Sequence, residues 1–250
     1  MKYNQFQRTE LLLGKDNIKI LQQKRVAVIG LGGVGSYATE ALARAGISHF
    51  LLIDFDKVNL SNLNRQLIAL HETIGMQKTE VMSARIKSIN PKAEVECITD
   101  FLDKNNRSDY LNNLDYVIDA IDALGPKIGL LEYCLDQNIP VLSVMGAGNR
   151  LDPQKVELGG LSKTWNCPLA RRVRKTLHHH GYYQDLPIVF SFEKPLQTDL
   201  DEDEEADEII CERGRKRKLI GSISYLPAVM GLFAASYVIR DLLSIPINLK

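Results

Sequence analysis

The chain has 250 residues, 45% of them hydrophobic and 25% charged, which is the composition of an ordinary soluble globular protein. Its 31 basic and 31 acidic residues cancel, so an overall basic charge is excluded as a means of binding nucleic acid, and any such site must be a local patch. The four cysteines contain no C-x-x-C pair, and the first residues lack the apolar stretch of a secretory signal. These features argue against a structural zinc site and favour reduced thiols in the cytoplasm.

The first 145 residues predict strands that alternate with helices. Apolar residues scattered through 4–23 indicate an N-terminal helical arm. Strands are predicted at 26–29, 50–53, 95–99, 116–120 and 141–144, with helices at 36–45, 75–89 and 127–137. Such alternation requires crossover connections, so the expected fold class is α/β, with a Rossmann-like, doubly wound and mostly parallel sheet.

The second part of the chain predicts a C-terminal α/β extension. Short strands are expected at 156–158 and 188–191, on either side of a basic helix at 168–180. An acidic block at 199–208 predicts a surface loop, and a basic run follows at 213–218. Residues 219–243 are apolar enough to suggest a membrane span, but they include Pro227, Arg240 and Asp241, so we expect a strand and a helix packed in the core. We predict one domain, 1–250, divided into a nucleotide-binding core at 25–145 and a substrate-binding and dimerisation extension at 146–250.

The first predicted strand runs into a glycine-rich turn. Gly30, Gly32 and Gly35 have the G-x-G-x-x-G spacing that turns a strand into a helix whose free N–H groups face a phosphate, and Gly33 lies among them. Asp54 ends the second strand, where a carboxylate binds ribose hydroxyls. These features indicate a nucleotide but leave NAD and ATP open.

The residues after Asp54 favour a triphosphate. They form an unusually polar run in which Arg65 is suited to fork onto phosphate oxygens while amide side chains orient them. Lys78 begins the next helix, where its ammonium and the helix dipole act on one anion. Asp122 follows the buried fourth strand, and a carboxylate there facing a triphosphate is placed to hold magnesium. The polar run also supplies three further candidate ligands: Ser61, Asn62 and Asn64.

Four motifs occur in order over residues 25–145: Gly-Leu-Gly-Gly-Val-Gly at 30–35, Asp-Phe-Asp-Lys-Val-Asn-Leu-Ser-Asn-Leu-Asn-Arg-Gln at 54–66, Gly-Met-Gln-Lys at 75–78 and Asp-Ala-Ile-Asp at 119–122. In these the chain resembles the ubiquitin-activating-type adenylating enzymes. The resemblance implies an ATP site in which a substrate carboxylate attacks the α-phosphate to give an acyl adenylate and pyrophosphate. It also implies a homodimer in which Arg8 reaches into the partner's ATP site. The implied ATP-binding residues are Gly33, Asp54, Ser61, Asn62, Asn64, Arg65, Lys78, Asp122 and the backbone at Ala123.

The second half resembles one branch of that superfamily, the branch that dehydrates threonylcarbamoyladenosine in tRNA. The matching pieces lie at 145–148, 151–153, 161–164, 168–174, 189–193 and 221–227. The resemblance implies that ATP adenylates the threonyl carboxylate beside the anticodon and that the neighbouring carbamoyl group closes a ring with loss of AMP. Arg65, Lys78 and a magnesium ion at Asp122 would stabilise charge on the phosphates. Relatives in this branch work with a sulfur-relay protein, which makes such a partner an open question for this chain.

The resemblance has one departure and leaves alternatives. Cys167 stands where an aspartate is expected, and a tolerated substitution is favoured over a thiol nucleophile. The first alternative is an adenylyltransferase for the C-terminal glycine of a ubiquitin-like sulfur carrier, although such enzymes typically hold zinc on C-x-x-C pairs that this chain lacks. The second is an NAD-binding dehydrogenase. A tRNA substrate also needs a phosphate-binding surface, for which the candidates are Arg171, Arg172, Arg174 and Lys175.

Overall fold

The computed structural model describes residues 4–197, 220–247 and 249; the acidic block at 199–208 and the basic run at 213–218 lie outside them. The strands are β1 Arg25–Ile29, β2 His49–Ile53, β3 Glu94–Ile98, β4 Tyr116–Asp119, β5 Val141–Val144, β6 Val156–Gly160 and β7 Pro187–Ser191. They form one seven-stranded sheet in the order β3-β2-β1-β4-β5-β7-β6. Every neighbouring pair is parallel except β6 with β7. The predicted mostly parallel sheet is therefore confirmed.

Helices cover both faces of the sheet. They are α1 Gln7–Leu13, α2 Lys15–Gln23, α3 Gly35–Ala45, α4 Lys78–Ile89, α5 Arg107–Tyr110, α6 Leu124–Asp136, α7 Pro168–His179 and α8 Tyr225–Leu242. Successive residues of a strand point to opposite faces, and the strands are apolar on both. Val26 and Val28 pack in the core that contains α3, α4 and α8, whereas Ala27 and Ile29 pack in the core that contains α6 and α7. The predicted doubly wound arrangement is confirmed.

Small residues allow α8 to pack closely on α3. Gly231 and Ala234 are buried, and a Cβ on Gly231 would collide with the carbonyl oxygen of Val34 just before α3. No helix in the described part of the chain combines the length and the apolarity needed to cross a bilayer. The helix predicted in the apolar C-terminal stretch is present and packs in the protein core.

Three sequence predictions need correction. The N-terminal arm is two helices, because Gly14 adopts a φ of 91° between α1 and α2. Residues 220–224 form no strand; the N–H of Gly221 and the carbonyl of Ser222 bond instead to the side chains of Asn149 and Asn64. Helix α6 starts at Leu124 rather than at 127, since a proline is tolerated in the first turn of a helix.

Candidate nucleotide site

The glycine turn joins β1 to α3 at the carboxyl edge of the sheet. Gly30 has a φ of 91°, and a Cβ there would lie 2.9 Å from the carbonyl oxygen of Ala120. A Cβ on Gly35 would collide with the carbonyl of Gly30. A Cβ on Gly33 would lie 3.2 Å from Pro227 and 3.3 Å from Cγ of Arg65. Gly30 and Gly35 are thus needed to make the turn. Gly33 lies in a narrow gap between the polar run and α8.

Asp54 is fixed by backbone groups on both carboxylate oxygens. Oδ2 accepts the N–H of Leu31 at 2.6 Å, and Oδ1 accepts the N–H of Asp56 at 2.9 Å. The side chain is buried, and this burial raises the pKa of Asp54 against the opposing effect of the Lys78 charge. The carboxylate is therefore oriented beside the glycine turn, where each oxygen keeps a second lone pair for a ligand hydroxyl.

Lys78 lies at the first position of α4 and is almost completely buried. Its Nζ is 2.7 Å from Oδ2 of Asp56, and its side chain is 5% exposed. Asp56 itself is about half exposed, with 47% of its side chain accessible. The ammonium is thus held in position at the helix N-terminus by a carboxylate that water reaches.

The polar run folds into a short 3₁₀ helix at Leu60–Asn62. Asn62 is buried, and its side-chain oxygen accepts the N–H of Asn59 at 3.1 Å. Arg65 donates from Nη1 to the carbonyl of Ser61 at 2.9 Å and to Oδ1 of Asn64 at 3.0 Å. Asn62 therefore shapes the loop, whereas Arg65 and Asn64 lie on its exposed side.

Gln66 belongs to the site although it was not among the residues predicted from the sequence. It is 7% exposed, and its Oε1 is buried with no hydrogen-bond partner. Its Nε2 lies 3.8 Å from where a Cβ on Gly32 would be. A buried amide without a partner beside a phosphate-type turn is the kind of group that a ligand satisfies. Its place directly after Arg65 in the polar run is the signal that could have found it.

A buried ion pair supports the end of β4. Nζ of Lys127 lies 2.6 Å from Oδ2 of Asp119 and donates to Oγ of Ser143 at 3.1 Å. Both charged side chains are fully buried, and Oδ1 of Asp119 accepts the N–H of Ile121 at 3.1 Å. This network fixes the turn that presents Asp122, which is exposed. Asp119 stands in the Asp-Ala-Ile-Asp motif, but its buried pairing with Lys127 is not visible in the sequence.

The loop at the start of α6 completes the carboxyl edge near β1. Ala123 is the N-cap residue of α6, directly after Asp122. In the described part of the chain, no group of three His, Cys, Asp or Glu side chains is arranged to hold a metal ion.

The structure places Arg8 away from the site of its own chain. Arg8 is exposed on α1, next to the cavity that Gln5 and Phe6 share with Arg44 and Ser88 at the C-terminal ends of α3 and α4. The candidate site lies at the opposite ends of these helices. Arg8 is therefore not among the residues that the structure gathers at the candidate site.

The basic helix α7 divides its charged residues between two roles. Arg171, Arg172 and Lys175 are exposed and line an open cavity of about 390 Å³. Arg174 turns away and donates from Nη1 to the carbonyl of Leu161 at 3.0 Å and to Oγ1 of Thr164 at 2.7 Å. Arg174 was expected to bind RNA together with Arg171, Arg172 and Lys175, but its guanidinium holds a neighbouring loop.

Comparison with known proteins identifies the family to which a chain with this site belongs. Residues 5–250 match the ThiF family along nearly the whole chain. The chain belongs to the ThiF family. It is 39% identical over 241 residues to the tRNA threonylcarbamoyladenosine dehydratase of Bacillus subtilis, covering 96% of this chain and 95% of that protein. The dehydratase of Haemophilus influenzae is 41% identical over 237 residues, covering 91% and 89%.

A solved structure of a tRNA threonylcarbamoyladenosine dehydratase has the same fold as this chain. The Escherichia coli dehydratase in complex with AMP superposes with a TM-score of 0.85 at 33% identity, covering 96% of this chain and 94% of that one. The same protein has been solved in complex with ATP, with a TM-score of 0.84. The molybdopterin-synthase adenylyltransferase of Haemophilus influenzae is 32% identical but matches only 56% of this chain. The adenylyltransferases are thus the more distant relatives.

Proposed function

We propose that this protein is an ATP-dependent tRNA threonylcarbamoyladenosine dehydratase. The observation that carries the proposal is the extent of the likeness: relatives with this name match the chain from end to end, including the part beyond β5. Among ThiF relatives, a molybdopterin-synthase adenylyltransferase matches little more than half of it. An NAD-dependent dehydrogenase is not supported by the E. coli relative, which binds AMP and ATP.

The chemistry proposed for the site is adenylation followed by ring closure. The threonyl carboxylate attacks the α-phosphate of ATP, pyrophosphate leaves, and the neighbouring carbamoyl group attacks the activated carbonyl and expels AMP. Because the second nucleophile is part of the substrate, correct orientation supplies much of the rate and no enzyme nucleophile is required. Cys167 agrees with this, since it is buried and its Sγ accepts the N–H of Ala170 at the start of α7.

The residues at the carboxyl edge divide this work between them. We assign the ribose to Asp54 and the phosphates to Arg65, Lys78 and the backbone of the glycine turn. Supporting contacts come from Ser61, Asn62 and Asn64 in the polar run, Asp122 and the Ala123 backbone at the end of β4, and Gly30, Gly32, Gly33 and Gly35 in the turn. Asp122 fits a magnesium ion that is shared with ATP phosphates, and such an ion would neutralise charge on the triphosphate.

The partners and organisation proposed for the chain follow from its family and surfaces. We propose a homodimer in which Arg8 of each copy completes the site of the other, as the resemblance to the adenylating enzymes implies. Arg8 is exposed on α1 and is free to meet a second copy. The division into a 25–145 nucleotide-binding core and a 146–250 extension belongs to the same proposal. We propose a cytoplasmic location because the relatives are named as tRNA-modifying enzymes. We propose a sulfur-relay partner because the resemblance to the dehydratase branch implies one.

The surface proposed for the tRNA backbone is the cavity on α7. Arg171, Arg172 and Lys175 line it, and the sequence of α7 contains no acidic residue. Exposed cations in such a group bind phosphates and release counterions. Arg174 takes part indirectly, by holding the loop at Leu161–Thr164.

The test is an assay with purified protein, ATP, Mg²⁺ and threonylcarbamoyl-modified tRNA, followed by mass analysis of the nucleosides. The proposal predicts loss of one water from the modified adenosine, with one AMP released per event. ATP–pyrophosphate exchange in the presence of small proteins ending in Gly-Gly tests the adenylyltransferase alternative. Exchange with such a carrier and no change in the tRNA would overturn the proposal.

A further inference from the structure

Trp165 is the single tryptophan of the chain. It lies on the surface against Phe192, the residue directly after β7, at the carboxyl edge of the sheet. It is 49% exposed in the loop that leads into α7. Its ring stacks on Phe192, with centroids 5.2 Å apart and an interplanar angle of 28°, and it meets Phe190 edge-on at 5.6 Å. One face of the indole is thus supported by the protein, while the ring as a whole remains half accessible.

Two arginines pin the backbone on both sides of this ring. Arg174 donates to Oγ1 of Thr164 at 2.7 Å, and Arg150 donates to the carbonyl of Asn166 at 3.3 Å. The side chain of Asn166 also donates to the carbonyl of Phe192 at 3.1 Å, and its backbone φ is 51°. Asparagine is a common non-glycine residue in this left-handed conformation, and here three hydrogen bonds hold the backbone around it. The loop therefore presents an aromatic ring in a preset orientation.

The position of Trp165 relates it to the nucleotide site and to the basic cavity. Phe192 follows β7, and β7 runs parallel to β5 and β4, so the three strands end at the same edge. Neighbouring strands are about 4.8 Å apart, which puts the end of β7 roughly 10 Å from the end of β4. On the other side, Trp165 precedes α7, where Arg171, Arg172 and Lys175 line the basic cavity.

We propose that Trp165 is a stacking platform for an unpaired base of the RNA substrate, next to the nucleotide that reacts. The inference rests on the proposed function and deepens it by naming how an anticodon-type loop is held. Unpaired bases are bound by stacking on aromatic rings while adjacent cations hold the backbone. Trp165, supported on one side and held by a rigid loop, provides the stacking surface. The basic cavity beside it provides the cations for the RNA backbone.

The test uses the fluorescence of the wild-type protein, because its single tryptophan reports on this position alone. An anticodon stem-loop RNA should quench the emission on titration, whereas a duplex RNA of equal length should not. Binding is measured in parallel by anisotropy of labelled RNA. RNA that binds without quenching Trp165 would overturn the proposal.

Variants separate stacking from packing. Trp165→Leu should weaken stem-loop binding roughly fivefold or more, because it keeps apolar bulk but removes the π face. Trp165→Phe should retain most of the affinity, and the matched control Tyr183→Leu, at a 73% exposed aromatic, should be unchanged. Wild-type affinity in Trp165→Leu would contradict the platform. If the wild type dehydrates tRNA and its tryptophan emission is not quenched, the stacking platform is wrong and the dehydratase proposal stands. If the stem-loop quenches the emission but competent tRNA is never dehydrated, the platform stands and the dehydratase proposal is wrong.

Discussion

The two edges of the sheet use polar residues in opposite ways. At the amino edge, Nζ of Lys24 lies 2.7 Å from Oδ1 of Asp115, and the hydroxyl of Tyr116 donates to Asp241 at 3.0 Å. At the carboxyl edge, the Asp119–Lys127 pair is satisfied in the same way, but some other buried polar atoms lack partners. In the described ranges there are three such side-chain atoms, and all belong to this edge: Oε1 of Gln66, Oε1 of Gln77 and Oγ1 of Thr79.

Two carboxylates show the same contrast. Burial acts to raise the pKa of Asp115, but hydrogen bonds from Lys24 and from the Arg25 N–H outweigh it and leave this pKa lowered. For Asp54 burial prevails, and the pKa is raised in spite of Lys78. The amino edge is thus electrostatically satisfied by the protein itself. The carboxyl edge keeps hydrogen-bonding capacity that a nucleotide can satisfy.

The largest effect is expected from Lys127→Met, which leaves the Asp119 carboxylate buried without its cation. Breaking a buried ion pair on one side costs about 3–5 kcal/mol, so the urea midpoint should fall sharply. The double variant Asp119→Leu with Lys127→Met should recover much of that loss, because no charge then remains buried. If the single variant unfolds at the wild-type urea concentration, the pair does not support this edge.

The next largest effect is expected on the reaction rate and not on the stability of the fold. Arg65→Ala should lower the dehydration rate by about a hundredfold, since it removes a cation that stabilises charge on the phosphates. Its melting temperature should stay near that of the wild type, because its described contacts are to Ser61 and Asn64 on the exposed side of the loop.

The matched control is Arg25→Ala at the amino edge. It removes an ion pair in which Nη2 of Arg25 lies 2.6 Å from Oε2 of Glu96. This variant should dehydrate tRNA at the wild-type rate and melt slightly earlier. Equal activity losses in the two variants would remove the functional distinction between the edges.

A smaller effect is expected in the pH dependence of stability. The folded pKa of Asp115 lies below its unfolded value, so its contribution is present above about pH 4 and is lost as the pH falls through the folded pKa. At neutral pH, Asp115→Asn should cost about 1 kcal/mol, and the difference from the wild type should shrink below about pH 4. Thermal melts of both proteins from pH 7 to pH 3 measure this. A difference that stays constant over the range would refute the assigned sign.

The smallest effect is expected at the start of α7. Cys167 is the N-cap, with its Sγ 3.5 Å from the N–H of Ala170, and sulfur is a weak acceptor. Cys167→Asp places a preferred capping group there and should stabilise the protein by about 0.5–1 kcal/mol. Dehydration by this variant should be unchanged, as should that of Cys167→Ser. Loss of turnover in both variants with intact folding would assign the thiol a role in the reaction.

The features predicted well from the sequence are those that depend on near neighbours. The glycine turn and the strand that leads to Asp54 follow from local spacing and apolar alternation, and the structure contains both. The helix predicted at 75–89 is also present, but it begins at Lys78. The two-sided core follows because buried parallel strands are apolar on both faces.

The missed features depend on contacts between distant segments. Arg174 looked like part of a helix face, but its guanidinium reaches the loop at Thr164. A strand was expected before the last helix within 219–243, but the backbone of Gly221 and Ser222 bonds to the side chains of Asn149 and Asn64. The orphaned oxygen of Gln66 is visible only when the turn and the polar run are packed together. Helical periodicity gives the direction of a side chain but not the partner at its end.

The most direct test of the central claim follows one oxygen atom. If ATP activates the threonyl carboxylate, an oxygen of that carboxylate must leave with the α-phosphate. A tRNA carrying heavy oxygen in the threonyl carboxylate should therefore give AMP that contains the label, in step with loss of water from the nucleoside. Unlabelled AMP released together with the dehydrated nucleoside would contradict adenylation of the carboxylate.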